Sequence, residues 1–167
     1  MREAQLLAVG DIDLHTTRTR HPFGGLKDLL ADKDILFGNL ETVLSSKGKA
    51  VEKAVSLRAS PDTVAYLTDA GFDVVNVANN HIMDYGPEGL NETLEVLEEN
   101  RILFLGVSTP RFRPRPVIAN KNRLAVGFLG YRNGELEDPP TGIRIAGIDS
   151  ALGEDSVIEG LPENKAT

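Results

Sequence analysis

The strongest constraint on this chain is a set of apolar runs that are continuous rather than alternating, each closed by polar residues. Runs at residues 5–9, 35–39, 72–78, 102–106 and 124–130 read as strands covered on both faces, since a half-exposed strand would alternate apolar with polar. Three of them end in the same manner. The first gives V-G-D-I-D (Asp11, Asp13), the second F-G-N-L-E (Asn39, Glu41) and the third A-N-N-H (Asn79, Asn80, His81).

Amphipathic stretches separate these runs. Ser60 stands as an N-cap before Pro61 at a first helical position, Val64 and Leu67 supply a buried stripe, and Gly71 stops the helix. A second helix is expected over 87–100, with Leu90, Leu94 and Leu97 on one face and glutamates on the other. A shorter one is expected over 26–31. The order β-α-β, an insert, then α-β-α-β-β predicts an α/β fold with a largely parallel sheet. Residues 47–53 are charged and read as a surface loop or hairpin. The segment T-P-R-F-R-P-R-P at 109–116 can be neither helix nor central strand, because its prolines block both.

At 167 residues the chain suits one domain with a sizeable core. A helix beginning near Ser156 is interrupted by Pro162, and no further strand follows. The sheet is therefore expected to be truncated, with an apolar edge that seeks a partner, as in a homo-oligomer, or else with residual disorder near the C-terminus.

Composition removes several functions. With no cysteine there is no thiolate metal site and no cysteine nucleophile. A net charge of -7 repels nucleic acid and anionic membrane. Three Tyr, six Phe and no Trp leave little for stacking bases, so no nucleic acid partner is expected. No run has the length of a membrane span, and the first strand begins too near Met1 for a leader. The chain as written is expected to be cytoplasmic.

Ligands of open α/β sheets bind beyond the carboxyl ends of the strands. Neighbouring parallel strands would bring the strand-end residues to one edge, where carboxylates, amide oxygens and an imidazole suit Mn, Mg, Zn or Fe. A bridging carboxylate with a histidine acid is the equipment of two-metal phosphoester hydrolysis. Taken singly, each motif also serves as a turn cap. Asp13 lies just past the first strand as a supporting group, and His15 beyond it is either a compensating group or an ordinary loop histidine. Arg111, Arg113 and Arg115 form a cluster suited to a phosphorylated substrate or an acidic polymer, or else a solvated loop stiffened by proline. Gly-rich phosphate loops and Ser-His-Asp arrangements are absent.

G-D at 10–11, F-G-N-L-E-T at 37–42 and A-N-N-H-I-M-D-Y-G at 78–86 resemble the signatures of bacterial capsule synthesis proteins of the CapA type. L-R-A-S-P at 57–61, A-G-F-D-V-V at 70–75 and G-L-N-E-T-L at 89–94 are similar too. That family is associated with poly-γ-glutamate capsule production and is distantly related to calcineurin-like metallophosphoesterases. The resemblance implies a layered metallophosphoesterase-type fold with helices on both faces of the sheet. It makes Asp11 a ligand of a first metal, Glu41 a shared ligand, Asn80 a ligand of a second metal and His81 the acid. Asn39 and Asn79 become supporting groups, and Asp84, Tyr85 and Gly86 the turn into the next helix, with Asp84 as its cap. The family pattern continues with a histidine-tryptophan-glycine segment and late histidines. Here tryptophan is absent and the histidines are His15, His21 and His81. The expectation is a short form whose metal is weakly bound, either a phosphoesterase or a non-catalytic binder of an acidic polymer or a capsule-assembly partner.

Overall fold

The structure, a computed structural model, describes residues 4–15, 21–112, 117–121, 124–133, 144–145 and 147–148. Its centre is a four-stranded parallel sheet in the order β1-β2-β5-β6, built from β1 (Leu6–Ile12), β2 (Ile35–Leu40), β5 (Val74–Asn76) and β6 (Leu103–Leu105). The runs expected to end beside one another do so: β1 pairs with β2 and β2 with β5. Two short strands, β3 (Val43–Leu44) and β4 (Arg58–Ala59), pair in parallel beyond the end of β2.

The register of β1 shifts at one point. Ala8 stands opposite Phe37 and Asp11 opposite Asn39, so β1 carries one residue more than β2 between those pairs. Such a bulge re-aims the side chains that follow it. It brings Asp11, rather than Gly10, level with Asn39. Asn39 is in turn level with Asn76 on β5, so three polar residues cross the carboxyl end of the sheet in one rank.

Helix α1 (Val64–Ala70) follows a 3-10 turn at Pro61–Thr63, and Gly71 ends it in the left-handed conformation at φ 78°. Helix α2 (Gly86–Glu99) runs where the leucine spacing placed it. Leu67, Leu90, Leu94 and Leu97 are wholly buried in a core with Leu36, Leu40 and Val75. Burying each such side chain is worth about 1.5–3 kcal/mol relative to exposure. The helix expected at 26–31 is instead a 3-10 turn, Gly24–Leu26, followed by turns.

The other face of the sheet differs from the expectation of helices on both sides. Among the described residues it is covered by an antiparallel hairpin, β8 (Val117–Lys121) with β9 (Leu124–Phe128). Val117, Ala119, Val126 and Phe128 pack there on Ile35, Phe37, Val74 and Leu105, with the Phe37 and Phe128 rings stacked at 5.3 Å. Only the second of these strands was expected. Short pairs join β7 (Val107–Ser108) to β11 (Arg144–Ile145), and β10 (Arg132–Asn133) to β12 (Gly147–Ile148). The helix expected near Ser156 lies outside the described residues. No helix among those described is long and apolar enough to cross a membrane.

Candidate functional site

The site begins with the amide of Asn39. Its Nδ2 donates to Asp11 Oδ1 at 2.7 Å and to Glu41 Oε1 at 2.7 Å. Its Oδ1 accepts from Asn76 Nδ2 at 2.8 Å and from Asn79 Nδ2 at 3.3 Å. Carboxylates only accept, so this network settles which way the amide points. One side chain therefore clips two carboxylates together. The two oxygens it holds lie no further apart than twice the bond length to their shared nitrogen.

Residues 78–86 form the turn from β5 into α2. Asn79 is buried, donates to the Leu40 carbonyl at 2.7 Å and accepts from the His81 and Ile82 amides, each at 3.0 Å. This fixes the backbone so that His81 leans back over Glu41, its Nε2 3.7 Å from Glu41 Oε2. The opposite ring nitrogen, Nδ1, lies 2.7 Å from Asp84 Oδ2. Asp84 is only 1% exposed. It also accepts from the Leu57 amide at 2.6 Å and pairs with Lys53 Nζ. Lys53 Nζ donates further to the Asn80 carbonyl at 3.0 Å.

The electrostatics follow from this crowding. Burial pushes the Glu41 carboxyl above its ordinary range, and the charges of Asp11 and Asp84 add to it, against the Asn39 hydrogen bond and His81. For Asp13 burial acts in the same sense, but hydrogen bonds from His15 and Thr42 outweigh it and hold that carboxyl low.

The structure brings together Asp11, Asn39, Glu41, Asn79 and His81. Asn80 adjoins them, exposed, with its carbonyl held by Lys53. Asp13 forms a neighbouring pair with His15 Nδ1 at 2.7 Å and accepts from the Thr42 hydroxyl at 2.9 Å. None of its hydrogen bonds runs to Asp11, Glu41 or His81. Arg111 pairs with Glu95 and Glu98 on α2 and packs over Phe112, so its charge is answered by the helix and not by the strand-end cluster. Arg113 and Arg115 lie outside the described residues. Asp84 corrects an expectation: it is not the cap of α2, whose N-cap is Tyr85, but the partner of the His81 ring.

Two site residues escaped the sequence reading. Asn76 could have been found, because it closes β5 at the position matching Asn39 on β2. Lys53 carried no such signal, since it sits in a charged segment without periodicity.

Whether these side chains suit a divalent cation can be judged from their chemistry. Paired carboxylates with a facing imidazole are fitting donors for manganese, magnesium, zinc or iron, and a cation would offset the Asp11 and Asp84 charges that add to the effect of burial on Glu41. Among the described residues, however, no three His, Cys, Asp or Glu side chains are grouped closely enough to enclose an ion. The set fits an open shell completed by water rather than a closed one.

A parallel sheet with acidic, amide and imidazole groups collected past its strand ends defines an α/β protein with a candidate site at that edge. The model of the bacterial capsule synthesis protein family PGA_cap matches residues 5–152, and the chain belongs to that family. It is 31% identical over 118 residues to the capsule biosynthesis protein CapA of Bacillus anthracis, covering 68% of this chain and 29% of that protein. It is 29% identical over 113 residues to the PGA biosynthesis protein CapA of Bacillus subtilis (strain 168), covering 65% and 30%. A probable polyglutamine synthesis accessory protein of Mycobacterium tuberculosis (strain CDC 1551 / Oshkosh) is 32% identical over 126 residues, covering 71% and 33%. The chain thus spans between a quarter and a third of the length of the curated relatives it matches.

Proposed function

We infer that this chain serves capsule or poly-γ-glutamate biosynthesis and carries a metal-dependent phosphoesterase-type site. The observation that supports the site is the Asn39 clip on Asp11 and Glu41 with His81 Nε2 facing it. The names of the relatives support the biosynthetic setting. Asp11 and Glu41 would hold the cation, with the exposed Asn80 side chain beside them. When bound, such an ion supplies Lewis acidity toward a phosphoryl oxygen. The residues do the rest. Asn39 keeps the two carboxylates from separating. Asp84 holds the Nδ1 proton, which leaves Nε2 as the atom through which His81 exchanges a proton with a leaving group.

A second reading, a non-catalytic binder of an acidic polymer or an assembly partner, is favoured by the openness of the donor set. Manganese titration calorimetry and a phosphodiesterase assay with added manganese separate the two. The enzyme reading expects weak manganese binding that Glu41→Gln removes. It also expects hydrolysis that His81→Ala abolishes while leaving the binding nearly intact. Equal manganese affinity in wild type and Glu41→Gln would reduce the cluster to turn caps.

A further inference from the structure

Lys53 lies in a segment, residues 45–57, that contains neither helix nor strand, yet it is tied down at several points. At its start, Glu92 of α2 accepts from the Ser45 hydroxyl and from the Ser46 and Lys47 amides at 2.5, 2.8 and 3.1 Å. Further on, the Val51 amide donates to the Asp84 carbonyl at 2.8 Å and the Leu57 amide to the Asp84 carboxylate. Between them Lys53 Nζ, with its side chain 28% exposed, reaches Asp84 Oδ1 and the Asn80 carbonyl. It also stands 3.2 Å from His81 Nδ1. An ammonium has no lone pair, and the single Nδ1 proton is directed to the nearer Asp84 oxygen. The Lys53–His81 approach is therefore a proximity of charge to ring, while the two oxygen contacts are hydrogen bonds.

We propose that Lys53 is a positioning residue of the strand-end site, joining the Asn80–His81 peptide to the Asp84 carboxylate so that His81 presents Nε2 toward Glu41. This rests on the reading of His81 as a site residue. A carboxylate 1% exposed has given up its water and needs hydrogen-bond donors and an opposite charge in its place, and Lys53 Nζ supplies both at Asp84 Oδ1. Through the Asn80 carbonyl the same ammonium fixes the peptide that carries His81. The loop at 45–57 is thus part of the site.

The test uses the metal-free protein and NMR of its labelled histidine rings. Wild type and Lys53→Arg should show His81 as one tautomer with the proton on Nδ1. Lys53→Met should lose that signal in favour of a mixture or of the Nε2-protonated form. Retention of the single Nδ1 tautomer in Lys53→Met would overturn the proposal. If removing the charge unfolds the protein, the comparison moves to Asp84→Asn with and without Lys53→Met, where the buried carboxylate facing Lys53 is gone. There the His81 and Ile82 amides should exchange about tenfold faster in the double variant, the loss of roughly one hydrogen bond. Equal exchange would overturn the proposal as well. Neither readout involves metal or substrate, so failure of manganese to bind would defeat the enzymatic reading and leave this one standing.

Discussion

His81 Nδ1 lies 2.7 Å from Asp84 Oδ2, and only Ile82 and Met83 separate the two along the turn into α2. Asp84 does more than orient a ring. It collects the Leu57 amide, the Lys53 ammonium and the His81 ring around a carboxylate that is itself 1% exposed. Replacing it with alanine removes the acceptor that all three share, which should cost about 1–3 kcal/mol, the penalty of a buried donor such as the Leu57 amide left unpaired. Asp84→Asn preserves an acceptor and should cost less. Urea denaturation of the two variants checks this, and an Asp84→Ala protein as stable as Asp84→Asn would contradict it.

The strands of the central sheet were legible because continuous apolar runs and capped helices are local signals. Val64, Leu67 and Gly71 mark α1 within ten residues of chain, and the leucine spacing marks α2. The cluster was legible for a related reason: Asp11, Asn39 and Asn79 each follow a strand, and parallel pairing does the rest. What remained hidden depends on distant pairing. Lys53 and Asp84 are 31 residues apart, and nothing in the charged segment around Lys53 announces its partner. Strand β8 was hidden because Val117–Lys121 is short and borders the proline-rich stretch. Its identity rests on antiparallel pairing with β9 and on burial against Phe37 and Val74.

The clamp at Glu92 gives a pH dependence. Burial pushes this carboxyl up, but the Ser45 hydroxyl, the Ser46 and Lys47 amides and the Lys47 charge together outweigh it and hold it below its ordinary value. A carboxyl held low in the folded state stabilises the fold at pH above its unfolded value. That contribution is lost as pH falls through the folded value. Glu92→Gln should therefore cost about 1–2 kcal/mol at neutral pH. The gap to wild type should close progressively under acid. Thermal unfolding of both proteins across that range is the measurement, and a gap that stays constant into acid would refute the clamp.

Gly48 offers a steric test of the same loop. Its φ is +76°, and a Cβ built there would sit 1.9 Å from the Tyr85 carbonyl oxygen. The obstacle is backbone, which cannot swing aside. Gly48→Ala should cost about 2–4 kcal/mol, from left-handed strain and overpacking together. Because the displaced loop carries Lys53, the His81 tautomer should become mixed even where the protein remains folded. Denaturation with histidine-ring NMR reads both effects, and an unchanged tautomer in a folded Gly48→Ala protein would show the loop and the ring to be independent.

Asn39→Asp asks whether the amide truly clips two carboxylates. The substitution keeps the acceptor used by Asn76 and Asn79 and exchanges the nitrogen for oxygen, so a third carboxylate meets Asp11 and Glu41. Two hydrogen bonds to charged groups are lost and like charges are pressed together, which should cost about 2–4 kcal/mol in the presence of chelator. The same crowding makes a more attractive cation site. Manganese should therefore restore part of the lost stability, and should raise the melting temperature of Asn39→Asp by more than that of wild type. Asn39→Leu provides the contrast, because it loses the clip without adding charge and should gain nothing extra from manganese. The paired melting curves, with chelator and with manganese, decide the matter. An Asn39→Asp protein that matches wild type in chelator would mean that Asp11 and Glu41 are kept together by the backbone register alone.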